Sequence, residues 1–340
     1  FTVFPMGKTK LLCAAGAVLL TVLAVAGLFT GKYPLTPEGL LAGDEMQLRV
    51  FMTLRVSRTL VGAVGGFALG TAGFVYQTVF HNPLASPDVI GVSSGASAGA
   101  AAGILWNVRT APRGWRPLFL TGAAGVTACS FAGALAAVCL ALALSSLDRS
   151  RNRGSIVLAG IAVHSLAQTA LLCLKLLADP ERELASIEYW IMGSLNGISG
   201  YSIGGNLCLC AACLVLLFLL HRQILLLSAE EGEARMLGVS VGRLRLFVLL
   251  TATLAVACVV SLTGLISFVG LLAPHAARLL TGRNDSGTML LGGILGGALL
   301  IGADLLARTV SAVELPVSVF TSLLGAPFLI FLIVRGRGET

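Results

Sequence analysis

A chain of 340 residues that is 56% hydrophobic and only 11% charged, with a mean hydropathy of +0.92, is too apolar for a soluble globular protein. Its net charge of +7 comes from 23 basic and 16 acidic residues, few for this length, so the bilayer is the expected solvent and no nucleic-acid partner is expected.

Nine stretches lack Asp, Glu, Lys and Arg altogether: 11–31, 59–87, 89–108, 117–147, 154–174, 189–221, 246–277, 286–303 and 315–334. Each is near or above the roughly 18–20 apolar residues that carry a helix across a hydrocarbon core. Gly264, Gly270 and Pro274 interrupt the run at 246–277, which can hold one full span and a short second one, so nine or ten spans are allowed. The runs are apolar all round instead of alternating with period two, which excludes barrel strands. Backbone amides in lipid must pair within their own segment, so the fold class is all-α, a polytopic helical bundle in a single domain, 1–340.

In chain order, Lys8 and Lys10 precede an apolar run in which Ala24-Val25-Ala26 imitates a signal-peptide cleavage site. The run continues apolar to Gly31, and it reads as a retained first span. Met6-Gly7-Lys8-Thr9 imitates the end of a P-loop, but Thr2 stands where the first glycine belongs and an apolar span follows, so the match is false. Glycines 62, 65, 66, 70 and 73, and later 292, 293, 296 and 297, are small residues that let helices approach closely. Between two apolar runs lies the polar break YQTVFHNPLASPDVIGVSSGAS at 76–97. Pro83 and Pro87 bias Asn82 and Ser86 away from helix, so the helix should stop near His81.

All eight cysteines fall within apolar runs, and Cys208, Cys210 and Cys213 read as small packing residues instead of metal ligands. The segment 228–238 is polar and helix-compatible, with Gly238 placed to end a turn. Asp304 is the main acid among apolar residues, and Arg308 lies one turn further on, which reads as an i,i+4 ion pair. With ten spans and both termini cytoplasmic, the basic residues show only a weak inside excess. Tyr33, Trp106, Trp115, Tyr189, Trp190 and Tyr201 form a belt at the outer boundary. A surplus of arginines therefore falls on the outer side. It can be met by lipid headgroups or by an acidic soluble partner. No acid relay and no ATP site are visible, which assigns the energy source to a partner subunit.

Four pieces together carry a resemblance. Leu54-Arg55-Val56-Ser57-Arg58-Thr59-Leu60 leads into a Gly/Ala-rich span ending in Gln77, Asn82-Pro83-Leu84-Ala85 and Pro87, with Ile90-Gly91-Val92-Ser93-Ser94-Gly95 directly after. Downstream stand Gly264-Leu265-Ile266-Ser267-Phe268-Val269-Gly270 with Pro274-His275 and Arg278, then Gly302-Ala303-Asp304 with Arg308, then Leu315-Pro316-Val317 and Gly325-Ala326-Pro327-Phe328. From about residue 50 onward the chain resembles the permease subunits of bacterial iron–siderophore, haem and cobalamin ABC importers.

The resemblance implies a type II ABC importer permease fold of about ten transmembrane helices in the bacterial cytoplasmic (inner) membrane. It implies a second permease copy, two ATP-binding subunits and a periplasmic or lipoprotein substrate-binding protein as partners, besides membrane lipid. The chain itself would carry no cofactor and no metal, with ATP and Mg2+ acting in the partner ATPase, so it is not an enzyme by itself. Arg55, Arg58 and Arg308 match residues that dock the binding protein. Asn82, Pro83 and Leu84 match a cytoplasmic gate. Glu231, Gly232, Ala234, Leu237 and Gly238 match a coupling helix within about 228–242 that contacts the ATPase. Pro274 and His275 match a family motif without a derived role, and a structural role fits them best. Arg153 departs from the small polar residues expected in its loop, so the 148–155 loop carries no gate residues in this reading. The implied cargo is an iron chelate, siderophore or haem, with cobalamin also compatible. An ion-coupled secondary carrier is the alternative, and a membrane enzyme lacks the convergent acids it would need.

Overall fold

The computed structural model describes residues 6–110, 122–147, 153–196, 198, 203–228, 240–311 and 313–336, and every regular element among them is helical. The charge-free runs supply the long helices. α1 (Met6–Phe29), α2 (Pro37–Leu41) and α3 (Glu45–Val50) lead through a π turn at Phe51–Val56 into α4 (Ser57–Phe80). A 3-10 turn at Pro87–Ile90 precedes α5 (Val92–Thr110), α6 (Gly122–Ser146) and α7 (Arg153–Leu177). Next come α8 (Ala185–Ile191), α9 (Gly204–Leu219), α10 (His221–Leu226) and α11 (Val241–Thr263). The chain closes with α12 (Val269–Thr281), α13 (Ser286–Thr309) and α14 (Val317–Gly336).

Six helical stretches among the described residues are long and apolar enough to cross a membrane, and Gly204–Leu219 and Val317–Phe331 are shorter apolar helices. The run at 246–277 does divide, into α11 and the 13-residue α12. At 1.5 Å per residue α12 is about 20 Å long, too short for a hydrocarbon core of about 30 Å.

The chain divides into two compact units, each assembled from separate stretches. The first takes residues 1–71, 193–204 and 266–340. In it the first half of α4 lies backbone to backbone against α13. A Cβ on Gly66 would run into the carbonyl oxygen of Gly296, and one on Gly70 into that of Gly292. The glycines singled out in two distant runs therefore meet each other, giving the close crossing that dispersion forces reward in a medium without a hydrophobic drive.

The second unit takes residues 72–192 and 205–265. Gly95, Gly99 and Gly103, spaced one helical turn apart on α5, face Cys129, Gly133 and Ala137 on α6. A Cβ on Gly99 would meet the Cys129 carbonyl and one on Gly133 the Gly95 carbonyl, so Cys129 serves here as a small packing residue. Cys210, Cys213 and Cys258 are buried free thiols, and the Cys210 Sγ donates to the Ala255 carbonyl at 3.9 Å, joining α9 to α11.

Candidate functional site

Two places where polar residues interrupt the apolar helices hold most of the residues singled out in the sequence. In the first unit the π turn and the start of α4 bring Arg55 and Arg58 beside the end of α13, where Asp304 and Arg308 stand one turn apart. The Asp304–Arg308 i,i+4 pair read from the sequence is present. The same carboxylate also takes Arg58, whose Nη2 lies 2.7 Å and Nε 3.0 Å from Asp304 Oδ1. Arg58 Nη1 reaches Glu314 Oε2 at 2.9 Å.

Arg308 and Arg55 share a second task. Helix α1 ends with carbonyls that have no intrahelical partner, and the negative end of its dipole lies there. Arg308 Nη1 donates to the carbonyls of Gly27 at 3.0 Å and Thr30 at 3.1 Å. Arg55 donates to Thr30 through Nη1 and to Tyr33 through Nη2. Three arginines and two acids thus staple the ends of α1, α4 and α13 together.

The three arginines, expected on an outer docking surface, are buried in this unit: Arg55 is 7% exposed, Arg58 9% and Arg308 4%. The physical reason is the pull of Asp304, itself 1% exposed, and of the unpaired α1 carbonyls. Sequence reasoning missed Glu314 and the α1 terminus as partners. Glu314 had one signal, as the only acid between Asp304 and the C-terminal apolar run.

The break after α4 lies in the second unit. The helix ends at Phe80, as the prolines require, and His81 adopts the left-handed conformation at φ 51°. His81 N–H donates to the Thr78 carbonyl and Asn82 N–H to that of Gln77 at 3.2 Å. These two bonds make a Schellman cap with histidine where glycine is usual. The Asn82 side-chain oxygen then accepts from the Leu84 amide at 2.9 Å, and its carbonyl from the Ala85 amide at 3.1 Å, which folds the loop back. Asn82, Pro83 and Leu84 are exposed, Leu84 by 52%, whereas Ala85 and Pro87 are buried. Gly91, at φ 85°, turns the chain into α5 with the His164 amide 3.3 Å from where a Cβ would stand. His81 Nε2 lies 2.8 Å from the Ser228 carbonyl, tying the break to the start of the segment after α10. The proposed coupling residues Glu231, Gly232, Ala234, Leu237 and Gly238 lie outside the described residues.

Pro274 sits inside α12, where its ring removes one backbone donor. Gly292 makes room for it, since a Cβ there would stand 3.3 Å from Pro274 Cα. The His275 ring packs edge-on against Phe328 with centroids 5.7 Å apart. At the start of α12, Phe268 holds φ 67°, a strained conformation for a bulky residue. Its ring occupies the space left by Gly325, where a Cβ would collide with it. The motif residues Phe268, Pro274, His275, Gly325 and Phe328 are thus one packing set in the first unit, with no polar partner for either His275 nitrogen among the described residues.

The sequence profile described as the FecCD transport family matches residues 19–335. The chain is 35% identical over 283 residues to the cobalamin import system permease protein BtuC of Halobacterium salinarum, covering 83% of this chain and 72% of that one. It is 34% identical over 326 residues to the hemin transport system permease protein HmuU of Yersinia pestis, covering 95% of each. Among solved structures, an inward-facing ABC transporter of metal-chelate type is similar with a TM-score of 0.80 at 28% identity, over 96% of this chain and 99% of the other.

Proposed function

The chain belongs to the FecCD transport family, and on that premise we propose that it is the permease of an ATP-driven importer for an iron chelate, a siderophore or haem, with cobalamin also compatible. The observation that carries this reading is the family match over almost the whole chain, with a hemin permease similar along 95% of its length. Ten helices of 13 residues or more among the described residues support a bundle of about ten membrane-embedded helices, of which α12 is too short to cross the core by itself. The chemistry of the spans favours an external energy source. Asp304 is the only acid within those ten helices, and two guanidinium groups hold it, so protonating it would break a buried pair. A proton-coupled carrier needs a carboxylate that can change its charge state more easily.

In this reading two permease copies form the pathway in the cytoplasmic membrane with both termini inside. Two ATP-binding subunits with ATP and Mg2+ drive it, and a periplasmic or lipoprotein binding protein delivers the cargo. Asn82, Pro83 and Leu84 act as the gate, which their exposure beside a buried turn supports. The coupling segment around 228–242 meets the ATPase, and the His81–Ser228 hydrogen bond gives it a route to the gate. Arg55, Arg58 and Arg308 mark the end where the binding protein docks, with the provision that their internal partners must be shared or exchanged.

The test is uptake of a radiolabelled ferric siderophore or haem into proteoliposomes holding this chain with candidate ATP-binding subunits and binding protein from the same organism. Uptake is expected only with ATP and unchanged by a protonophore. Uptake that persists without ATP and stops when the proton gradient is collapsed would overturn the reading.

A further inference from the structure

The short helix α12 carries two unfavourable features, and packing alone explains neither. The first is at its start. Phe268 holds φ 67°, a left-handed conformation that crowds the Cβ of a bulky residue. At the other end of the same helix the left-handed position is Gly282, at φ 66°, which carries no such strain. The strain at Phe268 is therefore tied to its ring, which sits where Gly325 of α14 lacks a side chain.

The second is His275. Both ring nitrogens are closed off from solvent, and neither has a hydrogen-bond partner among the described residues. Arg278, one turn further on, donates to Asn284 Oδ1 at 3.1 Å instead. The contact with Phe328 does not require an imidazole, since leucine or phenylalanine would supply it without desolvating two polar atoms. Next to it, Pro274 removes the backbone bond that would close on the Gly270 carbonyl, so the helix is weak in its middle. The neighbour of Pro274 across α13 is Gly292, which has no side chain to interlock with it.

Backbone strain and a desolvated, unpartnered side chain persist together where a second arrangement relieves both. We propose that α12 is a two-position element of the permease. The described position holds Phe268 strained and His275 unpartnered. A second position, reached during transport, relaxes Phe268 and admits a polar partner, water included, to His275. His275 is then a positioning residue, whose imidazole sets the balance between the two positions. The proposal rests on the reading of the chain as a transport permease, because moving cargo requires more than one populated conformation.

The experiment places the full chain in nanodiscs and compares wild type, His275→Leu and Gly325→Ala. It reads thermal unfolding and, well below the unfolding temperature, diethylpyrocarbonate modification of each histidine by mass spectrometry. Wild-type His275 is expected to react about tenfold or more slower than the exposed His81, as for a group reachable only in a minor state. His275→Leu removes the unpartnered group from the described position and should raise the unfolding temperature by a few degrees. Gly325→Ala pushes the Phe268 ring from its seat and should speed modification of His275 several-fold. In proteoliposomes with ATP-binding subunits and binding protein, His275→Leu should lower maximal ATP-dependent uptake about tenfold, the shift expected from removing one buried unpartnered polar group. KM should stay unchanged, and His275→Gln, which keeps a polar group, should restore most of the uptake. A histidine with only a packing role would lose stability and uptake together. A lower unfolding temperature for His275→Leu, or uptake equal to wild type, would overturn the proposal. So would modification of His275 in Gly325→Ala no faster than in wild type. Absence of ATP-dependent uptake in the wild type would count against the permease reading instead, since unfolding and modification decide the two-position proposal without cargo.

Discussion

The arginine cluster of the first unit and the break after α4 in the second both interrupt apolar helices, and they satisfy their polar groups by opposite means. In the cluster, Asp304 and Glu314 hold Arg58, while Arg308 and Arg55 cap the carbonyls of α1, so side-chain charges join three helix ends. In the break, backbone amides and the Asn82 side chain close a cap and a turn, and Asn82, Pro83 and Leu84 stay exposed. Buried charges in a low dielectric are costly to separate, whereas a local turn with few buried apolar contacts opens at little cost. The first region therefore suits an anchor and the second a moving part.

Removing the central acid should have the largest effect on stability. Asp304→Asn leaves Arg58 and Arg308 buried without their shared counter-charge, and stability is expected to fall by about 3–5 kcal/mol. Denaturant unfolding in detergent measures it, and a loss below about 1 kcal/mol would mean the cluster anchors nothing. Next in size is the crossing beneath it. Gly296→Leu drives a side chain into the Gly66 carbonyl and is expected to cost about 1–3 kcal/mol or more. Gly302→Ala on the same helix is the control, because the nearest atom to its Cβ is Leu23 Cδ1 at 4.0 Å. Alanine there should be neutral or stabilising by about 0.5–1 kcal/mol. Equal destabilisation by both would show that the close approach to Gly66 is not what sets the requirement for glycine at 296.

Much of this architecture was legible in the sequence, for reasons that can be named residue by residue. The charge-free runs had to be helices, and Pro83 had to end α4 near His81. Gly264 marked where one long run divides, whereas Pro274 lies inside the second of the two helices. The glycines showed that backbones would touch, but not that Gly66 meets Gly296, since pairing between distant helices leaves no local trace. The cluster was half legible. The spacing of Asp304 and Arg308 gave one ion pair, while the capture of Arg58 across 246 residues and the capping of α1 depend on tertiary contact. Local spacing also gave no sign that Arg55 would turn inward to Thr30 and Tyr33, so a charge expected at the surface is buried.

A smaller effect is expected at the edge of the cluster. The Glu314 side chain is 19% exposed, the most accessible member of the Arg58–Asp304–Glu314 group, so it is the partner that a soluble acid could replace. If the binding protein docks through these arginines, Glu314→Gln frees Arg58 Nη1 and should raise binding-protein affinity by a few-fold, most clearly at low salt. The cost in stability should stay near 1 kcal/mol or less, as for partly exposed pairs. Surface plasmon resonance with the permease in nanodiscs reads the affinity. An unchanged value would leave the cluster an anchor only. Charge reversal at Arg58 is the poorer probe, since a glutamate beside Asp304 disturbs the fold before it disturbs docking.

The smallest change in stability tests the moving part. Leu84 packs little, so Leu84→Ala should alter unfolding by no more than about 0.5 kcal/mol, the range of ordinary surface substitutions. If Leu84 closes the pathway against a second copy, the same variant should raise passive efflux of a trapped chelate from proteoliposomes several-fold in the absence of ATP. Efflux indistinguishable from the wild type would remove Leu84 from the gate. The contrast with Asp304 is then informative in both directions. A residue whose loss is large in stability and silent in leak belongs to the anchor. One whose loss is silent in stability and large in leak belongs to the path, and only the second kind of residue can be recognised by its exposure inside an otherwise apolar chain.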